Sequence, residues 1–104
     1  MPAYMIVTAS IRDRDAFLAG YAPAAAKLIG QMGGEYLLRG PGGEWLEGGF
    51  GESASVVVSK WPDRDTAKRF WDSPEYAEVK KLRDGLAEVQ VLLVEGPDLT
   101  PGSG

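Results

Sequence analysis

Two charged residues, Arg39 and Glu47, flank the run Gly40-Pro41-Gly42-Gly43, where a tight turn would lay two short strands, 35–39 and 44–47, side by side as a hairpin. Two roles are open to that pair. At the mouth of a cavity, Arg39 can bind an anionic ligand while Glu47 acts as base or acceptor. Facing each other across the hairpin, the same two residues can simply form an ion pair that fixes its register. Tyr36 and Trp45 occupy the same two arms and can stack a flat ligand, with Trp71 and Tyr76 closing the space and Tyr21 adding a hydroxyl. Those rings can equally be packing area, the commonest use of buried aromatics.

The remaining chemistry is bounded by what the chain lacks. It has no cysteine and no histidine. Thiolate nucleophiles, disulfides, Ser-His pairs, a proximal haem ligand and the two-His-one-carboxylate iron site are therefore excluded, so no metal and no cofactor is expected. Oxygen chemistry without them needs a substrate that itself donates an electron to oxygen, with the protein supplying desolvation, orientation and a base, for which Glu47 or Tyr36 are the candidates.

Composition points the same way. Residues 1–52 carry 4 basic and 6 acidic side chains and residues 53–104 carry 7 and 9, so each half sits at −2 and there is no basic face to replace the counterions of a nucleic acid. No apolar run approaches the roughly 18 residues of a membrane span, and Met1 to Ser10 lacks the pattern of a secretory leader. A cytoplasmic location is the default expectation. With 104 residues the chain suits one domain, spanning 1–96, followed by a Pro- and Gly-rich flexible tail over 97–104.

The elements that must position the candidates follow from periodicity. Residues 3–10 are apolar on both alternating sets and read as a strand buried on two faces. Asp13 or Asp15 can cap the next helix, whose positions Phe17, Tyr21, Ala25, Leu28 and Met32 keep helical spacing, with Pro23 kinking it near Gly20 and Gly33-Gly34 ending it. After the hairpin, 48–52 is a flexible connection and 53–60 a Val-rich strand. Asp63 caps a helix that closes on Phe70-Trp71; Ser73 caps another beginning at Pro74; Asp84-Gly85 breaks it, and 88–95 is the last strand. Lys68, Arg69, Lys80, Lys81 and Arg83 read as solvated helix faces.

This order predicts an α+β fold, a ferredoxin-like split β-α-β domain with an antiparallel sheet. Helices on one face leave the other, apolar face needing a partner, which a homodimer supplies by packing two sheets face to face or closing a shared dimeric α/β barrel.

The segments 33–40, 44–48 and 71–76, with Leu82-Arg83, resemble one bacterial family, the domain of unknown function numbered 1330. The resemblance runs from Tyr4 to Gly96. It implies a ferredoxin-like dimeric α/β-barrel fold, shared more distantly with small monooxygenases of antibiotic biosynthesis and with haem-degrading enzymes, and it implies no activity. Two classes of function stay open: a pocket for a small organic molecule, with or without monooxygenase-like or isomerase-like catalysis, and a non-catalytic structural or regulatory dimer.

Overall fold

The structure is a computed structural model and describes residues 1–49 and 53–97. Four strands, β1 (Ala3–Ile11), β2 (Glu35–Glu44), β3 (Ser53–Trp61) and β4 (Ala87–Glu95), alternate with four helices, α1 (Arg14–Ala19), α2 (Tyr21–Gln31), α3 (Arg64–Trp71) and α4 (Pro74–Lys81). The sheet runs β2-β3-β1-β4 and every neighbouring pair is antiparallel, so two β-α-β units interleave in the ferredoxin-like manner. Among the described residues no helix is long and apolar enough to cross a membrane. The expected tail beyond Pro97 and residues 50–52 of the expected connection lie outside the described residues.

Local chemistry sets the helix boundaries. Asp13 accepts from the Ala16 amide at 3.1 Å and Asp63 from the Thr66 amide at 2.7 Å, each taking up a donor that the first helical turn leaves unpaired. Gly20 separates α1 from α2 and places Pro23 in the first turn of α2, where its missing N–H costs no helical bond. Ser73 does two jobs between α3 and α4. Its hydroxyl donates to the Phe70 carbonyl at 2.7 Å and accepts from the Tyr76 amide at 3.1 Å, which fixes how α4 leaves α3.

The expected hairpin around Gly40-Pro41-Gly42-Gly43 is corrected: β2 runs through that segment, and its partner is β3. Proline and positive-φ glycine suit a turn, but they also suit a bulge on an edge strand, and β2 is an edge. The register shifts between Gly40 and Gly43, with Gly42 at φ 68°, and the chain turns back only after Glu44.

A second register shift, between Tyr36 and Leu38, matters more. Regular alternation would put Tyr36 and Arg39 on opposite faces of the sheet, because they stand three positions apart, an odd offset. The extra residue, Leu37, returns them to one face, Tyr36 opposite Ser59 and Arg39 opposite Val57.

The helices cover the face carrying Met5, Val7, Ser59 and Val91. Between the layers lies a core of Ala3, Met5, Leu28, Ile29, Trp61, Ala67, Phe70 and Tyr76. Trp61 and Phe70 are fully buried with ring centroids 5.0 Å apart, and Phe70 meets Tyr76 at 4.6 Å. Gly34 belongs to this packing: a Cβ there would stand 2.7 Å from the Trp61 ring. Among the described residues no helix covers the opposite face. Across it the register aligns Leu38, Val58, Ile6 and Leu92 in one aliphatic row spanning all four strands, and Leu38 and Leu92 are 50% and 62% exposed.

Candidate functional site

A cavity of about 110 Å³ lies between the helices and the covered face of the sheet. Its floor is aliphatic, from Met5, Val7, Val57 and Val91, because alternate residues of β1, β3 and β4 point to that side. Phe17 and Ala25 roof it from α1 and α2, and Phe70 and Trp71 from α3. Tyr21, Tyr36, Tyr76 and Arg39 complete the lining with polar groups.

Tyr21 and Tyr76, 55 residues apart in sequence, bring their hydroxyls to 2.7 Å. One phenol must donate to the other, so the accepting phenol keeps its own hydrogen, and neither hydroxyl has a further protein partner among the described residues. Burial pushes the Tyr21 phenol well above its ordinary range, the adjoining Tyr76 phenol and their hydrogen bond push the same way, and Arg83 opposes them. Tyr36 is also raised, first by burial, with Arg39 pulling it down. The Arg39 guanidinium lies over the Tyr36 ring, 5.2 Å from its centre, at the exposed rim.

Two serines in the lining are already engaged as acceptors: Ser59 accepts from the Trp61 indole at 3.0 Å, and Ser55 from Arg14 at 3.2 Å. Among the described residues no carboxylate lines the cavity. The polar groups facing its contents are phenol hydroxyls, which can donate or accept, and the positive charge of Arg39 at the rim, with no anion among the described residues to oppose it.

Of the candidates from sequence, Tyr21, Tyr36, Arg39, Trp71 and Tyr76 stand around this one space. Trp45 does not. It follows the end of β2 and lines a separate hollow with Thr8, Ser10, Ala54 and Gln90, its indole N–H buried with no hydrogen-bond partner among the described residues, and Gly49 at φ 95° packs against its ring. Glu47 lies exposed in the segment after β2, on no strand, and lines neither space; the expected hairpin pairing with Arg39 is absent because the hairpin that would make it is absent. A base role for Glu47 in this cavity goes with it, and a Tyr36 phenol raised by burial is held in its neutral, donating form.

Arg83 is a further correction. Grouped by sequence with the solvated charges Lys80 and Lys81, it is only 8% exposed, with its guanidinium 5.4 Å from the centre of the Tyr21 ring. The signal was its spacing. Tyr76, Val79 and Arg83 fall at i, i+3 and i+7, the inward stripe of a helix continued by one turn.

No curated protein matches the sequence. Among solved structures, the chain is similar to RPA0582, a protein of unknown function from Rhodopseudomonas palustris, with a TM-score of 0.76 and 17% identity over 93% of this chain and 83% of that one. It is similar to SnoaB, a cofactor-independent oxygenase from Streptomyces nogalater, with a TM-score of 0.68 and 14% identity over 96% and 97% of the two chains. The protein At3g17210 from Arabidopsis thaliana matches with a TM-score of 0.68 and 10% identity over 94% and 98%. At these identities the likeness is one of fold, the ferredoxin-like subunit of α/β-barrel proteins. The model of the domain of unknown function DUF1330 matches residues 2–97, and the chain belongs to that family.

Proposed function

We propose that this protein binds a small planar organic molecule, about one ring in size, in the cavity between sheet and helices, as a homodimer joined through the uncovered sheet face. One observation carries the ligand reading: an apolar cavity of about 110 Å³ into which three phenol hydroxyls and, at its rim, one guanidinium can each donate a hydrogen. Protein interiors leave few voids larger than a water, and an apolar cavity of about 150 Å³ is enough to hold benzene. Tyr21, Tyr76, Tyr36 and Arg39 would orient the ligand through its oxygen atoms, while the aliphatic floor and aromatic roof take its ring.

The likeness to SnoaB is one of fold, and an oxygenase or isomerase step that begins by removing a proton needs an acceptor. With no carboxylate in the lining among the described residues and no histidine in the chain, the geometry supports binding over proton abstraction. The aliphatic row Leu38, Val58, Ile6 and Leu92 supports the dimer, since a two-fold axis can lay such a row on its own copy and bury the same patch on both subunits.

A thermal-shift screen of one-ring phenols, enols and carboxylates tests the ligand reading. Compounds present at about 100 times their dissociation constant should stabilise the wild type by about 2.7 kcal/mol. Arg39→Met should weaken that response, and Glu47→Gln, outside the cavity, should leave it intact. Hits that respond equally to wild type and Arg39→Met, or a screen with none, would count for a purely structural domain.

A further inference from the structure

Arg83 is more than nine-tenths buried, and no carboxylate or other hydrogen-bonding side chain meets its guanidinium among the described residues. Guanidinium stays protonated at any physiological pH, and an unpaired buried charge is costly. The face of the Tyr21 ring supplies part of the compensation. Among the described residues no carboxylate balances that charge, and Tyr21, whose ring lies against the guanidinium, lines the cavity with its hydroxyl on that of Tyr76.

Taking as given the ligand-binding reading above, we infer that the cavity takes its ligand as an oxyanion, an acidic phenol or enol in its ionised form. The charged oxygen accepts the hydrogen that the Tyr21–Tyr76 pair has to spare, and Arg83, behind the Tyr21 ring, is its counter-charge. Three features converge on this. The lining offers donors and a cation at the rim but, among the described residues, no carboxylate to repel an anion. Burial and the contact with Tyr76 hold the Tyr21 phenol protonated, so Tyr21 is not the anion that balances Arg83. A low-dielectric interior screens charge poorly, so a guanidinium one ring away from the bound oxygen still acts on it.

The test uses two one-ring probes of nearly equal shape, 4-nitrophenol and its methyl ether 4-nitroanisole, at a pH where the phenol is ionised in water. Binding is followed by tryptophan fluorescence, and the visible phenolate band reports the ionisation state of the bound phenol. Wild type should bind nitrophenolate about tenfold or more tightly than nitroanisole and keep the phenolate band on binding. Arg83→Met should lose most of that preference with its affinity for nitroanisole unchanged, and Arg83→Lys should retain part of it. Tyr21→Phe, which preserves the ring beneath the guanidinium, should also reduce the preference, and it decides the matter if Arg83→Met does not fold. Equal affinity for the two probes, loss of the phenolate band on binding, or a preference indifferent to both substitutions would overturn the inference while leaving the cavity a binding site. If neither probe binds wild type, the ligand reading fails and this inference fails with it.

Discussion

Replacing Tyr21 and Tyr76 by Phe, singly and together, isolates the contact on which the cavity depends. The two hydroxyls meet at 2.7 Å, Tyr76 is 3% exposed, and neither hydroxyl has another protein partner among the described residues. Phenylalanine preserves both rings, including the Tyr76 contacts with Phe70 at 4.6 Å and Trp71 at 5.3 Å, so the change is confined to the hydroxyls. Each single substitution strands one buried O–H, and an unsatisfied buried donor costs about 1–3 kcal/mol. The double substitution removes both groups and strands neither. Each single variant should therefore lose about 1–2 kcal/mol, and the pair no more than either alone, a coupling of about 1 kcal/mol or more. For a domain of this size about 1 kcal/mol moves the melting temperature by roughly 4–8 °C, well within reach of calorimetry at one fixed protein concentration. Additive losses, within about 0.5 kcal/mol, would show that the two hydroxyls do not act as a pair and would remove the donor from which the ligand site is argued.

Three other outcomes are expected. Leu92→Lys, on the uncovered face, should turn a homodimer into a monomer in sedimentation at micromolar concentration by placing an unpaired charge in the interface, whereas a wild type that is already monomeric would sink the dimer proposal. Gly34→Ala should destabilise by about 1–3 kcal/mol in urea titration, because its Cβ would press on the Trp61 ring at 2.7 Å and the Ile29 side chain at 2.8 Å inside the packed core; a neutral result would mean that this packing yields. The raised Tyr21 and Tyr36 phenols should contribute stability that is fully present below the unfolded phenol value of about 10 and is lost as pH rises from there through their folded values, since the unfolded chain then releases protons that the fold retains. Ultraviolet titration should show their ionisation coinciding with alkaline unfolding, and Tyr21→Phe should flatten the decline.

Much of the architecture was legible because it rests on short-range chemistry. Asp63, Ser73 and Pro74 mark helix starts since a carboxylate, a hydroxyl and a ring without N–H satisfy the first turn wherever they occur. Strand periodicity identified the face that the helices leave bare, and helical periodicity placed Phe70 and Tyr76 in the core. The order of these elements selects the ferredoxin-like sheet, because few other arrangements join them without crossing connections.

The site was legible only in part, because its members are set by register and by distant neighbours. Gly40-Pro41-Gly42-Gly43 carries the same residues whether it turns or bulges, and only pairing with β3 makes β2 an edge strand that runs on, which takes Glu47 and Trp45 away from Arg39. The single extra residue at Leu37 brings Arg39 to the face of Tyr36, and local sequence preference does not specify such a shift. The sequence by itself determined the helix caps, the apolar stripes and the absence of thiol and imidazole chemistry, all properties of a residue and its near neighbours. The tertiary structure alone decided that Tyr21 meets Tyr76 and that Arg83 is buried against Tyr21, because those contacts exist only once α2 and α4 pack against each other over the sheet.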